Sequence, residues 1–171
     1  MTYSNRKTTS ASAAESHRLL CSAALWNEGV EELRRRTEGY HESGAFLLGE
    51  NDGARRRIVK LAYYDDLDPH SLDTGIVIFD GAGYGPLWEM CRNEGLTVVA
   101  DIHVHPCIAR QSDSDRTNPM ISQKGHVALI APDLALGPCI AAELGIYEYL
   151  GGYRWTYRSG TAAEEFFYIG N

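Results

Sequence analysis

Two histidines at the end of an apolar run are the residues of this sequence best suited to chemistry. His103 and His105 close the run 96–105, and Asp115 follows ten residues after the second histidine. Alternate side chains of a β-strand share a face, so both imidazoles are expected to point the same way. With one carboxylate they supply three ligands, the number found in catalytic zinc sites that keep a fourth position open. Histidines on strands are also often simply packed or solvated, so the pair alone leaves both interpretations open.

Two classes of zinc enzyme with related motifs are not expected. The string Asp-Ile-His-Val-His-Pro at 101–106 looks like the first metal motif of amidohydrolase or PHP-type barrels. Such a barrel normally has roughly 200 or more residues after this motif, whereas only the stretch 106–171 follows His105. A zinc nucleoside deaminase is not expected either, because no Cys-x-x-Cys follows a His-x-Glu.

Composition bears on partners and compartment. The formal net charge is −7, and nucleic acids and anionic membranes bind basic surfaces, so neither is expected as the main partner. No apolar run approaches the ~20 residues that span a bilayer, and the polar start of the sequence does not look like a signal peptide. The four cysteines lie far apart with no Cys-x-x-Cys pair. We therefore expect a cytoplasmic protein with free thiols.

Hydrophobic periodicity predicts one α+β domain over residues 16–171, preceded by a disordered tail at 1–15. Trp26, Val30 and Leu33 recur at helical spacing and predict a helix over 22–37. Shorter helices are predicted at 87–94 and 112–118, the second with Ser112 as its N-cap. Strands are predicted at 44–49, 57–64, 75–79, 96–105, 126–131, 144–150, 153–157 and 166–168, with a loop at 65–73 and a hairpin turn at Gly151-Gly152.

The strand that carries the histidines should have two distinct faces. Alternation assigns an apolar face to Val98, Ala100, Ile102 and Val104. It assigns the opposite face to Thr97, Val99, Asp101, His103 and His105. Asp101 therefore either supports a histidine ligand or serves packing. Of the remaining candidates nearby, Cys107 is interpreted as a plain loop cysteine and His126 as a core histidine.

The spacing of these residues resembles the JAMM (JAB, MPN+) metalloprotease family. That family has an upstream Glu, then His-x-His-Pro, then Ser-x-x-Asp. Here Glu42 precedes a Gly-containing apolar strand, and His103-Val-His105-Pro106 and Ser112-Asp-Ser-Asp115 follow in the same order. The resemblance covers residues 18–157, and the tract 112–132 looks especially like bacterial JAB proteins. It implies an MPN/cytidine-deaminase-like β-sheet domain flanked by helices.

The resemblance also implies a role for each motif residue. His103, His105 and Asp115 would bind one Zn²⁺ per chain, and the Ser-x-x-Asp register favours Asp115 over Asp113. Glu42 would act as general base and then general acid. The Ser112 hydroxyl would stabilise the oxyanion.

An activity and partners follow from the same resemblance. The protein would be a hydrolase, a deubiquitinase-like isopeptidase that cleaves after the C-terminal tail of a ubiquitin-like protein, in deconjugation or precursor processing. Its partners would be that protein or its conjugate, with E1-like and E2-like proteins of the same antiphage operon.

The sequence departs from the family pattern in two respects. Six residues, 106–111, separate the second histidine from the serine, where the family usually has seven. The two insertions that grip ubiquitin in eukaryotic members are reduced to a short region around 64–75 and to the Gly151-Gly152 turn. Two other functions therefore stay open. One is a non-catalytic MPN scaffold, and the other is a hydrolase of the same type acting on a sulfur-carrier protein or a small peptide adduct.

Overall fold

The computed structural model describes residues 16–170, and every strand in that range belongs to one eight-stranded sheet. The predicted tail at 1–15 lies outside the described residues. The strands are β1 (Leu19–Cys21), β2 (Gly44–Asn51), β3 (Arg56–Tyr63), β4 (Thr97–Val104), β5 (Val127–Ala131), β6 (Gly145–Gly151), β7 (Arg154–Arg158) and β8 (Phe167–Ile169). The α-helices whose bounds fall in the same range are α1 (Ala23–Arg36), α2 (Tyr64–Leu67), α3 (Tyr84–Glu94), α4 (Asp113–Thr117) and α5 (Thr161–Phe166).

The sheet is mixed, in the order β7-β6-β5-β4-β2-β3-β1-β8. The central strand β4 runs antiparallel to β2 and parallel to β5. The pairs β3–β1 and β1–β8 are also parallel, and the remaining pairs are antiparallel. The predicted α+β class is confirmed. Within residues 16–170, no helix has the length and apolar character needed to cross a membrane.

Helices cover both faces of the sheet and divide the buried residues into two main cores. The larger core lies under α1, whose Trp26, Val30 and Leu33 are buried there as the helical spacing predicts. The smaller core lies under α3 and contains Phe46, Leu48, Tyr64 and Leu87. Alternation along β2 sends Ala45 and Leu47 to the larger core and Phe46 and Leu48 to the smaller one. Because His103 pairs with Gly44 of β2, two residues before Phe46, it lies on the face of the smaller core.

Local chemistry explains how α1 begins and ends and how α3 ends. The Ser22 side chain accepts a hydrogen bond from the Leu25 amide and caps α1, and three arginines occupy its last turn. The Gly95 backbone has φ of 66° and ends α3 in the left-handed conformation that glycine adopts without strain.

The prediction for the two faces of β4 is wrong at its beginning. The register with β2 passes from Leu47–Ala100 to Leu48–Val98, so Val99 is an extra residue, a β-bulge. Val99 consequently turns into the larger core and Val98 packs against the smaller one. Asp101 and His103 follow the bulge, and their shared face is as predicted.

Three other segments differ from the sequence prediction. Residues 75–79 form no regular strand, because their hydrogen bonds go to Glu42 and to Ser71 and not to a strand ladder. The predicted loop at 65–73 begins with the helical turn α2. The hairpin turn consists of Gly152 and Tyr153, one residue later than predicted, and both have positive φ. This combination is the one that matches the twist of two hairpin strands.

Candidate metal centre

Backbone hydrogen bonds hold His103 and His105 at the carboxyl end of β4. His103 pairs with Gly44 on one side and with Ile130 of β5 on the other. The His105 amide donates to the Ala131 carbonyl at 2.9 Å, and the His105 carbonyl accepts from the Leu134 amide at 2.8 Å. Both histidines are buried, with 6% and 8% of their surface exposed. The chain is therefore pinned on both sides of the His-x-His step.

The turn that donates a hydrogen bond to the His105 carbonyl has an unusual backbone. Asp133, Leu134 and Ala135 have φ of 51°, 51° and 57°, so three consecutive non-glycine residues are left-handed. Each such residue costs roughly 1–2 kcal/mol relative to a right-handed conformation. The turn also donates from the Asp133 amide to the Cys107 carbonyl at 3.0 Å. It thus braces the carbonyl groups of His105 and Cys107.

Asp115 reaches the histidines from the short helix α4. Ser112 caps this helix as predicted: its hydroxyl oxygen accepts from the Asp115 amide at 3.1 Å. In return, the Ser112 amide donates to Asp115 Oδ2 at 2.7 Å. This reciprocal capping box fixes the Asp115 carboxylate. The Asp113 side chain is 94% exposed and pairs with Arg116, so it is turned away from the histidines.

The three side chains converge on one point. His103 Nε2 lies 3.0 Å from His105 Nε2. Asp115 Oδ1 lies 3.5 Å from His103 Nε2, and Asp115 Oδ2 lies 3.3 Å from His105 Nε2. Ligands held tetrahedrally at about 2.0–2.1 Å from a zinc ion are themselves about 3.3–3.4 Å apart. His103, His105 and Asp115 could therefore hold a metal ion, and their nitrogen and oxygen donors suit zinc.

Glu42 lies beside this cluster without joining it. Its Oε1 is 3.6 Å from His105 Nε2, and its Oε2 accepts from the Val77 amide at 3.0 Å. The Glu42 amide donates to the Gly75 carbonyl at 3.0 Å. The segment 75–77, predicted as part of a strand, instead holds Glu42 with two backbone groups. The Gly75 carbonyl binds the Glu42 amide, and the Val77 amide binds the Glu42 carboxylate. Because Glu42 Oε2 accepts the hydrogen bond from the Val77 amide, Oε1 remains directed at His105.

Opposite charges in the cluster shift two pKa values in opposite directions. Burial by itself would lower the pKa of His103, but interaction with Asp115 and the other nearby carboxylates outweighs it and raises that pKa. Burial would raise the pKa of Asp115, but both histidines hold it well below its usual range. The carboxylate therefore stays ionised and available as a ligand at neutral pH.

A buried polar network lies behind the histidines on the same face. Asp101 accepts from Tyr64 Oη at 3.2 Å through Oδ2, and its Oδ1 is in hydrogen-bond contact with His126 Nε2. Burial and the Asp101 charge raise the pKa of Tyr64 well above its usual value, so Tyr64 stays a donor. His126 is a satisfied core histidine, as predicted. The sequence carried no signal for Tyr64, because a tyrosine at the start of a short helix has no distinctive spacing.

The His103 ring and the cysteines are the remaining groups to consider near the cluster. His103 Nδ1 is buried without a hydrogen-bond partner among the described residues. Asp101 bonds to Tyr64 and His126 and therefore does not hold this ring. Cys107 is exposed in the loop after Pro106, whereas the other three cysteines are buried. All four thiols are free, which confirms that prediction.

The loop 106–111 joins the histidines to α4 and is anchored at both ends. Ala109 packs so closely on β6 that a Cβ at Gly145 would lie 2.0 Å from the Ala109 carbonyl oxygen. The Gln111 amide donates to Tyr147 Oη at 3.1 Å. Trp155 Nε1 donates to the Arg116 carbonyl at 3.0 Å and ties α4 to the same hairpin. A loop of six residues is thus long enough to deliver Asp115 to the histidines.

Comparison with known proteins supports the fold. No family model matches the sequence. A solution structure of a protein from Desulfitobacterium hafniense is similar, with a TM-score of 0.60 and 17% identity over 82% of this chain and 90% of that one. A second, from Salinibacter ruber, has a TM-score of 0.50 and 20% identity over 78% of this chain and 86% of that one. At these identities the likeness concerns the α+β fold alone.

Proposed function

We propose that the protein is a zinc-dependent isopeptidase of JAMM type with an MPN/cytidine-deaminase-like fold. The observation that carries this proposal is the meeting of four side chains from three separate parts of the chain. His103 comes from β4 and His105 from the residue that directly follows this strand, Asp115 from α4, and Glu42 from the segment before β2. Three of them offer ligand atoms to one metal, and the fourth is a carboxylate that uses no coordination position.

Each residue has a defined task in peptide-bond hydrolysis. A zinc ion, when bound by His103, His105 and Asp115, supplies Lewis-acid polarisation of the scissile carbonyl and lowers the pKa of water. Glu42 accepts a proton from the attacking water and then donates it to the leaving amine. Its hydrogen bond from the Val77 amide keeps Oε1 facing the reaction centre. The Ser112 hydroxyl, exposed beside Asp115, donates to the developing oxyanion.

The exposure of the centre favours an extended peptide as substrate. The side chains of His105, Glu42 and Asp115 are 11%, 13% and 21% exposed, so the centre is open at the surface. An extended C-terminal tail can lie across such a site, with its scissile carbonyl at the centre. The resemblance to the JAMM family supports, as substrate, a ubiquitin-like protein linked to a target lysine or to a short extension. E1-like and E2-like proteins acting on the same ubiquitin-like protein, in a cytoplasmic antiphage system, are the expected partners.

Substitution of Glu42 by Gln tests the mechanism. The amide keeps the shape but cannot accept the proton, so cleavage of a ubiquitin-like conjugate should fall roughly 10²- to 10⁴-fold. Zinc content, measured by atomic emission, should be unchanged because Glu42 is not a ligand. Asp113→Asn is the matched control, since it neutralises an exposed carboxylate two residues from Asp115. Cleavage by the zinc-loaded E42Q variant at the wild-type rate contradicts the assignment.

A further inference from the structure

A polar cavity lies at the amino end of β4, the end opposite His103. Its volume is about 130 Å³. Although the protein carries a net charge of −7, none of the described residues that line this cavity is a carboxylate. Its lining includes two cationic side chains, a buried histidine, two side-chain amides and a hydroxyl, which are Arg56, Lys124, His126, Asn51, Gln123 and Thr97.

Arg56 contributes a positive charge that no acid neutralises directly. Its guanidinium donates to the Gly125 carbonyl at 2.7 Å and to the carbonyl of the bulged residue Val99 at 3.4 Å. These are two of the five donors of an arginine. Among residues 16–170 no carboxylate forms an ion pair with Arg56, and the nearby Glu148 is paired with Arg158. Burial lowers the pKa of Arg56, and the negative charge of Glu148 partly opposes this lowering.

The other lining groups suit an anion of limited size. The His126 side chain is 4% exposed and is held by Asp101. Lys124 is exposed at the rim, so its ammonium can close over a ligand without losing an existing partner. The cavity is well below the ~300–1,000 Å³ of pockets for drug-sized ligands. A single tetrahedral oxyanion fits a cavity of this volume.

We propose that this cavity binds a phosphate-type oxyanion, with Arg56 as the fixed cation and Lys124 as the mobile one. Guanidinium and ammonium donors form charge-assisted hydrogen bonds to such oxygens. A free phosphate ion and the phosphate of a phosphomonoester share this chemistry, and the cavity is open to solvent on one side. The site is separate from the proposed zinc centre: Val98 and His103 are five positions apart along the strand, roughly 16 Å.

Titration with inorganic phosphate, and separately with O-phosphoserine, tests the proposal at constant ionic strength. Saturable binding with one site per chain is expected by calorimetry, with chemical-shift changes centred on the amides of Gly125 and His126. Binding of both probes indicates a phosphomonoester ligand, and binding of inorganic phosphate alone indicates the free ion. Saturation by neither probe up to about 20 mM, or shift changes centred elsewhere, overturns the proposal, because a charge-assisted site of this kind should be occupied there.

Two lysine variants separate a built site from general electrostatics. Lys124→Gln should weaken phosphate binding about three- to tenfold, since one charge-assisted hydrogen bond is lost. Lys60→Gln removes the same charge from a lysine paired with Glu94 outside the cavity and should leave the affinity unchanged. Equal affinities of the two variants overturn the proposal. Asp115→Ala should keep the phosphate affinity, so the failure of this proposal is distinguishable from that of the zinc mechanism.

Discussion

At the scale of single residues, two carboxylates beside the same imidazole have different environments. Asp115 accepts a hydrogen bond from the Ser112 amide and lies within 3.5 Å of both histidine Nε2 atoms, so it could hold a metal ion together with them. Glu42 receives the Val77 amide and approaches only His105, at 3.6 Å. The difference comes from the backbone that holds each group. A carboxylate that stays outside the ligand set remains free to exchange protons, which general base catalysis requires.

The raised pKa of His103 makes zinc binding sensitive to pH. In the metal-free protein, the protonated form of His103 stabilises the fold at pH below 6.5 and this contribution is lost as pH rises through the raised pKa. Zinc needs the neutral imidazole, so its affinity should fall as pH decreases, beginning above pH 6.5. Competition with a chelating dye between about pH 8 and about pH 6 measures this fall. His70→Gln is the control, because the pKa of His70 is also raised, by Asp73, but it lies outside the cluster. An affinity that is constant over this range contradicts the assignment of His103 as a ligand.

At the scale of elements, close packing positions the loop that leads from the histidines to α4. β6 can approach this loop only because Gly145 has no side chain, since a Cβ there would meet the Ala109 carbonyl. Gly145 pairs with Ile130 of β5, which in turn pairs with His103. A side chain at this one position therefore disturbs both the loop and the strand beside the first ligand.

Gly145→Ala should destabilise the protein and impair the centre together. We expect a loss of roughly 1–3 kcal/mol in the free energy of unfolding, typical of overpacking, measured by urea denaturation. Zinc affinity should fall as well, because the loop that precedes Asp115 is displaced. Gly137→Ala is the matched control, since a Cβ at Gly137 meets nothing within 4 Å. Wild-type stability of the G145A variant would show that the loop does not pack as described.

The left-handed turn after β5 should tolerate only some side chains. Asp133 is exposed with φ of 51°, a conformation that asparagine and aspartate adopt more readily than β-branched residues. Asp133→Val should lower the free energy of unfolding by about 1–2 kcal/mol. Asp133→Asn should leave it nearly unchanged, and urea denaturation of both variants makes the comparison. Equal stabilities for the two variants would be inconsistent with this backbone.

At the scale of the whole molecule, the metal centre joins parts of the chain that are distant in sequence. Apolar side chains fill the two main cores without any contribution from a metal, so the protein should fold without it. The ion would nevertheless link β4 to α4 and draw the acidic and basic side chains of the cluster into one unit. Metal binding then adds to the stability of a protein that is already folded, and folding does not require it.

Removal of zinc should lower the melting temperature without unfolding the protein. Free zinc at 100 times its dissociation constant contributes about 2.7 kcal/mol, which corresponds to roughly 5–10 °C for a domain of this size. Differential scanning calorimetry with excess zinc and with a chelator measures the shift. The Asp115→Ala variant should show little of it. A chelated protein that is unfolded at room temperature would contradict the independence of the cores from the metal.

Much of the architecture follows from local patterns in the sequence. Helical spacing located α1 correctly, and alternation placed Asp101 and His103 on one face, because both depend only on neighbouring residues. The capping role of Ser112 was also predictable, since a capping box is contained within four residues. The bulge at Val99 was not, because it depends on the register between β4 and β2.

Residue type and short spacing in the sequence indicated His103, His105 and a following carboxylate as candidate metal ligands, and the resemblance to the JAMM family added Glu42 as the candidate base. Only the tertiary structure decided that they meet. Glu42 is held by a segment 35 residues further along the chain, through the Val77 amide, and no local pattern records such a contact. The same holds for the contact of Asp101 with His126 and for the hydrogen bond from Arg56 to the Gly125 carbonyl, because each joins residues that are far apart in the sequence.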